Sequence, residues 1–199
     1  YLSSFNKNRL KSIIIMILVL LFEIKLNIPK RSFEDVFGSG YSPINFTEQV
    51  YNETQTVTSG SVYVFDSVFG YCMSNSNGGA LSCADINKAL IEQTMFFSCR
   101  ASYPFGGAVY ISTTFGELVL RGICSLNCSS TNSSSNSNSR GQFVYTAIKK
   151  NYAFKNHVND SSFIRSLNIY VNSQGALNFN FGNILFSSIN VTNTEYSLI

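Results

Sequence analysis

Two stretches, Gly78-Gly79-Ala80-Leu81 and Gly106-Gly107-Ala108-Val109, superpose when the chain is shifted against itself by 28 residues. Self-similarity at a fixed step of this size marks units too small to bury a core alone, which become stable only by stacking. Carrying the register forward, Gly141 falls on Gly106 after 35 residues, and the stretch Gln174 to Phe179 follows 33 residues later. The column Leu81, Val109, Val144, Leu177 is apolar throughout. Two residues on, Cys83, Ile111, Thr146 and Phe179 are mostly apolar, and between the two columns stand Ser82, Tyr110, Tyr145 and Asn178. Alternation held through four units is what a strand with one buried face requires.

A second set of columns precedes the glycines. The segments VFDSVFGYC, IEQTMFFSC and LRGICSLNC bring Cys72, Cys99 and Cys128 into one column. The first two share an F-x-x-C ending at Phe69/Cys72 and Phe96/Cys99, whereas the third has Ser125 in place of the aromatic residue. A looser copy starting near Leu185 would place Asn193 in the cysteine column. The excess length between copies is taken up by SSTNSSSNSNS, residues 129–139, a low-complexity loop without the apolar residues to bury itself.

From Ser61 onward, short apolar runs (SVYVFDSVF, ALIEQTMFF, ELVLRGIC, SLNIYV) alternate with Gly, Asn and Ser clusters, which reads as strands joined by turns. Only ADINKALIEQ looks helical, and it is short. With 45% apolar and 13% charged residues the chain can bury a core. The expected fold is all-β: a single-stranded helix of parallel strands, a solenoid of about four coils over residues 61–199. Residues 32–60 would form an N-terminal cap or irregular segment. Stacking sets equivalent side chains about 4.8 Å apart. The cysteine column thus becomes a ladder of small buried groups.

The alternation of GGA-aliphatic with F-x-x-C resembles the GGA(I/L/V) and F-x-x-N repeats of the chlamydial polymorphic outer-membrane protein family. It is similar also to repeat-rich surface proteins of parasitic protozoa that share the motif. The matches are Gly78-Gly79-Ala80-Leu81, Gly106-Gly107-Ala108-Val109, Phe69/Cys72 and Phe96/Cys99, within roughly residues 61–193. The resemblance implies a right-handed parallel β-helix and a place at the cell surface. This sequence departs from the pattern with Cys at the Asn position and with GQF and QGA in the later units. No recognisable membrane β-barrel follows the repeats, so autotransport is not implied.

Lys7, Arg9 and Lys11 precede ten unbroken apolar residues, Ile13 to Phe22. A bilayer-spanning helix needs about 20. The run suits a secretory signal or signal anchor within residues 1–31, with membrane association through residues 13–22. No clear A-x-A-type cleavage site follows. Six N-x-S/T sequons, at Asn45, Asn52, Asn127, Asn132, Asn159 and Asn190, permit glycosylation. They are about as many as 22 asparagines would give by chance. The net charge of +3, without a Lys/Arg stripe after residue 31, argues against a nucleic-acid partner. Five cysteines without a C-x-x-C pair, and a single histidine, His157, give poor support to a zinc site, so no cofactor is expected. Buried thiols packing as small hydrophobes are the preferred reading.

Neither GGA is followed by GK[ST], and both lead into strand-like sequence, so the glycines serve turns and not phosphate. His157 sits in YAFKNHVNDSSF, a polar connecting stretch near Asp160, without a nucleophile motif. Asp66, Asp85, Glu92, Glu117, Asp160 and Glu195 are scattered. In register, Asp66 shares a position with Gln93, and Glu92 with Arg121, the latter a surface ladder pair of little worth. No acid stacks on an acid, as two-carboxylate hydrolysis would need. Tyr110 and Tyr145 should stack outward on successive coils, either as an exposed row for a glycan or cell-surface protein, or simply covering the sheet. The sequence thus points to a non-catalytic secreted or surface module, structural or adhesive. The competing reading is a carbohydrate-active β-helix enzyme, a polysaccharide lyase or glycoside hydrolase.

Overall fold

The computed structural model describes residues 29–131, 140–148, 153–164 and 175–192. The apolar run 13–22, the SLNIYV segment, most of the Ser/Asn-rich loop and Asn193 lie outside the described residues. The chain divides into two units at Arg31, and every strand among the described residues belongs to the second, Arg31–Ile199.

Among the described residues one short helix, α1 (Phe33–Phe37), comes first. It is followed by β1 (Pro43–Thr47), β2 (Val50–Tyr51), β3 (Gln55–Val57), β4 (Gly60–Phe65), β5 (Val68–Gly70) and β6 (Met73–Ser74). Then come β7 (Leu81–Ala84), β8 (Ile86–Glu92), β9 (Met95–Phe97), β10 (Arg100–Ala101), β11 (Val109–Thr113) and β12 (Glu117–Arg121). The series ends with β13 (Cys124–Leu126), β14 (Ser129–Ser130), β15 (Val144–Ile148), β16 (Lys155–Ile164), β17 (Leu177–Asn180) and β18 (Asn183–Thr192).

The protein is therefore all-β, and its strands pair in parallel into three sheets. The largest runs β1-β4-β8-β12-β16-β13-β9-β5-β2, with β18 added on β16. The other two are β14-β10-β6 and β17-β15-β11-β7-β3. From β4 to β16 the chain passes through the large sheet, the three-stranded sheet and the five-stranded sheet in turn, then returns to the first.

The pairing reproduces the sequence columns. Leu81, Val109, Val144 and Leu177 are register partners, as are Ser82, Tyr110, Tyr145 and Asn178. Gln55 precedes Leu81 in the first column and Thr56 precedes Ser82 in the second, because β3 pairs with β7. At the paired glycines, the Gly79 N–H donates to the Gly107 carbonyl and the Gly107 N–H to that of Gly141, each at 3.1 Å. A Cβ on Gly79 would collide with the Gly107 carbonyl oxygen and the Arg100 backbone. Close backbone approach, more than turning, excludes a side chain there.

Turning falls to one left-handed residue per corner, and in the glycine pairs this is the first member, Gly78 at φ 72° and Gly106 at φ 64°. At the first corner these are Glu48, Asp66, Gln93, Gly122, Asp160 and Ser188, with φ between 45° and 62°. A non-glycine residue in this region is strained by roughly 1–2 kcal/mol. The ladder offsets this by continuing through the bend: Asp66 N–H donates to the Glu92 carbonyl at 3.2 Å and Gln93 N–H to that of Arg121 at 2.9 Å.

The interior carries an aromatic ladder. Tyr51 stacks on Phe69 at 4.7 Å, and Phe69 on Phe96 at 5.1 Å. The next register position is Ser125, followed by Phe163. Phe143, from the turn before β15, fills the gap with its ring 5.3 Å from Phe96 and 5.1 Å from Phe163. All four of these Phe side chains are fully buried.

Several expectations need correction. The stretch around His157 is not a connecting loop but strand β16, paired with both β12 and β13. The copy placed near Leu185 is the next one along and is one residue out of register, since Leu120 pairs with Val158 and Val158 with Phe186. A one-residue slip exchanges the buried and outward faces of a strand. ADINKALIEQ contributes strand β8 and no helix. Ser129 and Ser130, assigned to the loop, form buried strand β14 on β10. Parallel pairing begins at Pro43, well before Ser61.

Candidate functional site

Chemistry-bearing side chains gather on the outward face of the large sheet. Alternation there presents three columns: Lys88/Glu117/Lys155, Tyr63/Leu90/Val119/His157/Leu185, and Phe65/Glu92/Arg121/Asn159. α1 crosses this face. Its start is fixed by a capping box: Ser32 Oγ accepts from Asp35 N–H at 3.1 Å, and Asp35 accepts from Ser32 N–H at 2.8 Å. These bonds hold the Asp35 carboxyl below its ordinary range. Phe33 then packs with Tyr63, Phe65, Leu90 and Val119.

Two ionic groups flank this apolar patch. In one, Lys88 pairs with Glu117, whose second oxygen accepts from Lys155 N–H at 3.1 Å. The Lys88 ammonium lies 5.6 Å from the Phe37 and Tyr41 ring centres, and Lys155 lies 5.5 Å from Phe37. Lys155 Nζ also donates to the Val36 carbonyl at 2.6 Å. These contacts clamp α1 to the sheet through cation–π attraction and a charge-assisted bond. His157, the next outward residue on β16, is held below its ordinary pKa by burial and then by the Lys155 charge, with Glu117 opposing.

The second group is Glu92 with Arg121, at 3.3 Å, and Arg121 with Asp160, at 3.8 Å. Arg31 N–H donates to the other Glu92 oxygen at 3.3 Å. Glu92 is only 1% exposed and Arg121 9%, so the expected surface pair is a buried one. Burial raises the Glu92 pKa, and Arg121 and Arg31 pull against it. The adjacent Tyr63 hydroxyl is pushed up to about 12 by burial, with the Glu92 charge adding to it. The sequence could not reveal this burial, because the cover comes from a segment some 60 residues upstream.

The tyrosine row forms, but it is not open. Tyr110 and Tyr145 lie with ring centres 5.8 Å apart and planes 9° from parallel. Phe105 stacks on Tyr145 at 4.5 Å, and Asn180 Nδ2 donates to the Tyr145 hydroxyl at 3.0 Å. Tyr145 is buried as a result and only Tyr110 remains half-exposed. The shielding ring belongs to the turn before the second GGA, a long-range contact without a local signal.

Cys72, Cys99 and Cys128 are buried, unbridged and adjacent along their column. Cys99 Sγ donates to the Phe69 carbonyl at 3.4 Å, and Cys72 Sγ to that of Tyr51 at 3.5 Å. Burial pushes the Cys99 thiol well up, and Cys83 up to about 12. Thiols buried in this way pack as small hydrophobes, and those of Cys72 and Cys99 bond to backbone carbonyls. Among the described residues, no group of three or more His, Cys, Asp or Glu is placed to hold a metal, and no helix is long and apolar enough to cross a membrane.

Structurally the chain belongs to the all-β proteins built from parallel sheets. Comparison with protein-family models, curated proteins and solved structures finds no match to it.

Proposed function

We propose that the chain is a right-handed parallel β-helix module of the polymorphic outer-membrane protein type, exported or displayed at the cell surface. Its role is structural or adhesive and not catalytic. The observation carrying this reading is the use made of its acids. Glu92 is buried against Arg121, and Glu117 is tied to Lys88 and the Lys155 backbone. Asp66 and Asp85 occupy left-handed corners, at φ 48° and 52°. The engagement of Glu92 and Glu117 in holding strands together supports a structural use of these two carboxylates over one as general acid or base. The basic-then-apolar stretch from Lys7 to Phe22 supports export. The half-exposed Tyr110 and the coil corners offer the surface for a glycan or cell-surface protein.

The test is incubation of the full chain with a polysaccharide panel, reading bound fraction, reducing ends and unsaturated products. Retention without turnover, reduced by Tyr110→Ala, is the expected result. Turnover that disappears with Glu92→Gln or Asp66→Asn would replace this reading with the lyase or hydrolase one.

A further inference from the structure

Six of the large apolar side chains left exposed lie on three strands that end the large sheet or beside them: Ile44 on β1 and Val50 on β2, with Ile184, Leu185 and Phe186 on β18 and Phe181 just before it. Ile44 and the pair Ile184 and Phe186 are not surface positions by register. Their columns are Val62, Ala89, Leu118, Asn156 and Val64, Ile91, Leu120, Val158, all 0% exposed. At the two ends the same columns emerge, with Ile44 48%, Ile184 43% and Phe186 45% exposed. Among the described residues, β1 pairs only with β4 and β18 only with β16.

An open strand edge is usually blunted by charge, a bulge or shortness. β18 is ten residues long, NILFSSINVT, and carries no charge. It bends once, at left-handed Ser188 with φ 51°. A partner strand must bend at the same place to pair along both legs. β1 and β2 meet that demand: five residues, Pro43–Thr47, precede left-handed Glu48 with φ 55°, just as five, 183–187, precede Ser188. Laid on β18 in this register, Ile44 covers Ile184, Phe46 covers Phe186 and Tyr51 covers Val191.

We propose that a second copy of the chain docks head to tail, its β1–β2 edge adding in parallel to β18 of the first. The contact is heterologous, so it leaves one free edge of each kind and can repeat. The occupant is selected by matched bend and matched columns, which an arbitrary strand lacks.

The experiment uses the chain of 199 residues and light scattering across a concentration series. One variant blocks the β18 edge (Ile184→Lys with Phe186→Lys) and another blocks the β1 edge (Ile44→Lys). All three sites are nearly half exposed, so the strand signal in circular dichroism should persist. Phe186→Lys alone is the milder substitute where the double variant misfolds. Wild type should gain mass in whole-protomer steps, and each variant alone should lose that gain. An equimolar mixture of the two should form one-to-one dimers and stop there, because each retains one good edge. Wild type that stays monomeric, variants that associate as wild type does, or a mixture that fails to pair would each overturn the proposal. Association through the apolar residues 13–22 would give the second of these results.

Discussion

Phe143→Ala combined with Ser125→Phe tests the packing logic of the interior. In the ladder Tyr51–Phe69–Phe96 each pass contributes its own ring, whereas at Ser125 the ring comes from Phe143 in the turn before β15. Removing a fully buried Phe should lower stability by about 3–5 kcal/mol. Loss of its two ring contacts, at 5.3 and 5.1 Å, places the effect in the upper part of that range. Ser125→Phe alone forces a second ring into an occupied space and should lower stability by about 1–3 kcal/mol through overpacking. The double variant restores one ring per pass. Its stability should exceed that of Phe143→Ala alone, giving a coupling of about 0.5–3 kcal/mol in a double-mutant cycle. Urea unfolding followed by tyrosine fluorescence supplies the free energies. A double variant as unstable as the sum of the singles would refute the shared-space argument.

Gly79→Ala should destabilise more than Gly40→Ala, because a Cβ at Gly79 meets carbonyl and backbone atoms, whereas at Gly40, in open space, only the left-handed backbone (φ 94°) resists a side chain; the difference in urea midpoint measures it. The His157 pKa is lowered in the folded state, so its contribution is full above 6.5 and is lost as pH falls through the lowered value. His157→Leu should therefore flatten the stability–pH curve below 6.5, as thermal melts between pH 7.5 and 5 would register. In native protein, a thiol reagent should modify half-buried Cys124 first and leave Cys72, Cys83, Cys99 and Cys128 protected until unfolding, as timed labelling with mass spectrometry would show.

The repeat step and the glycine and cysteine columns were legible because equivalent positions in a stacked ladder experience the same surroundings, and composition follows. Legibility failed where a position took a different residue type. β16 puts Asn156 and Ser161 into the interior, so its apolar signal thins to Val158 and Phe163 and it reads as a polar connection. Asn156 is accommodated by Nδ2 donating to Thr146 Oγ1 and to the Phe181 carbonyl, partners absent from its local sequence. The outward face was illegible for another reason. Glu92, Arg121 and Lys88 look like surface charges along their own strands, and only the segment folded over the sheet from upstream, Arg31 at Glu92 and α1 at Lys88, shows otherwise. Capping residues Ser32 and Asp35, with Phe33, Val36 and Phe37 at helical spacing, were the available signal for that helix.

The central claim is that successive repeats stack in parallel and in register, so residues 27 apart such as Met73 and Arg100 are neighbours. Both are exposed at adjacent strand positions, with Cα atoms expected about 5 Å apart. Spin labels at Met73→Cys and Arg100→Cys, in a Cys124→Ser background, measure this separation by electron paramagnetic resonance. Strong dipolar broadening relative to the summed single-label spectra is the predicted result. A doubly labelled spectrum identical to that sum would contradict the stacking, and with it the account of the fold.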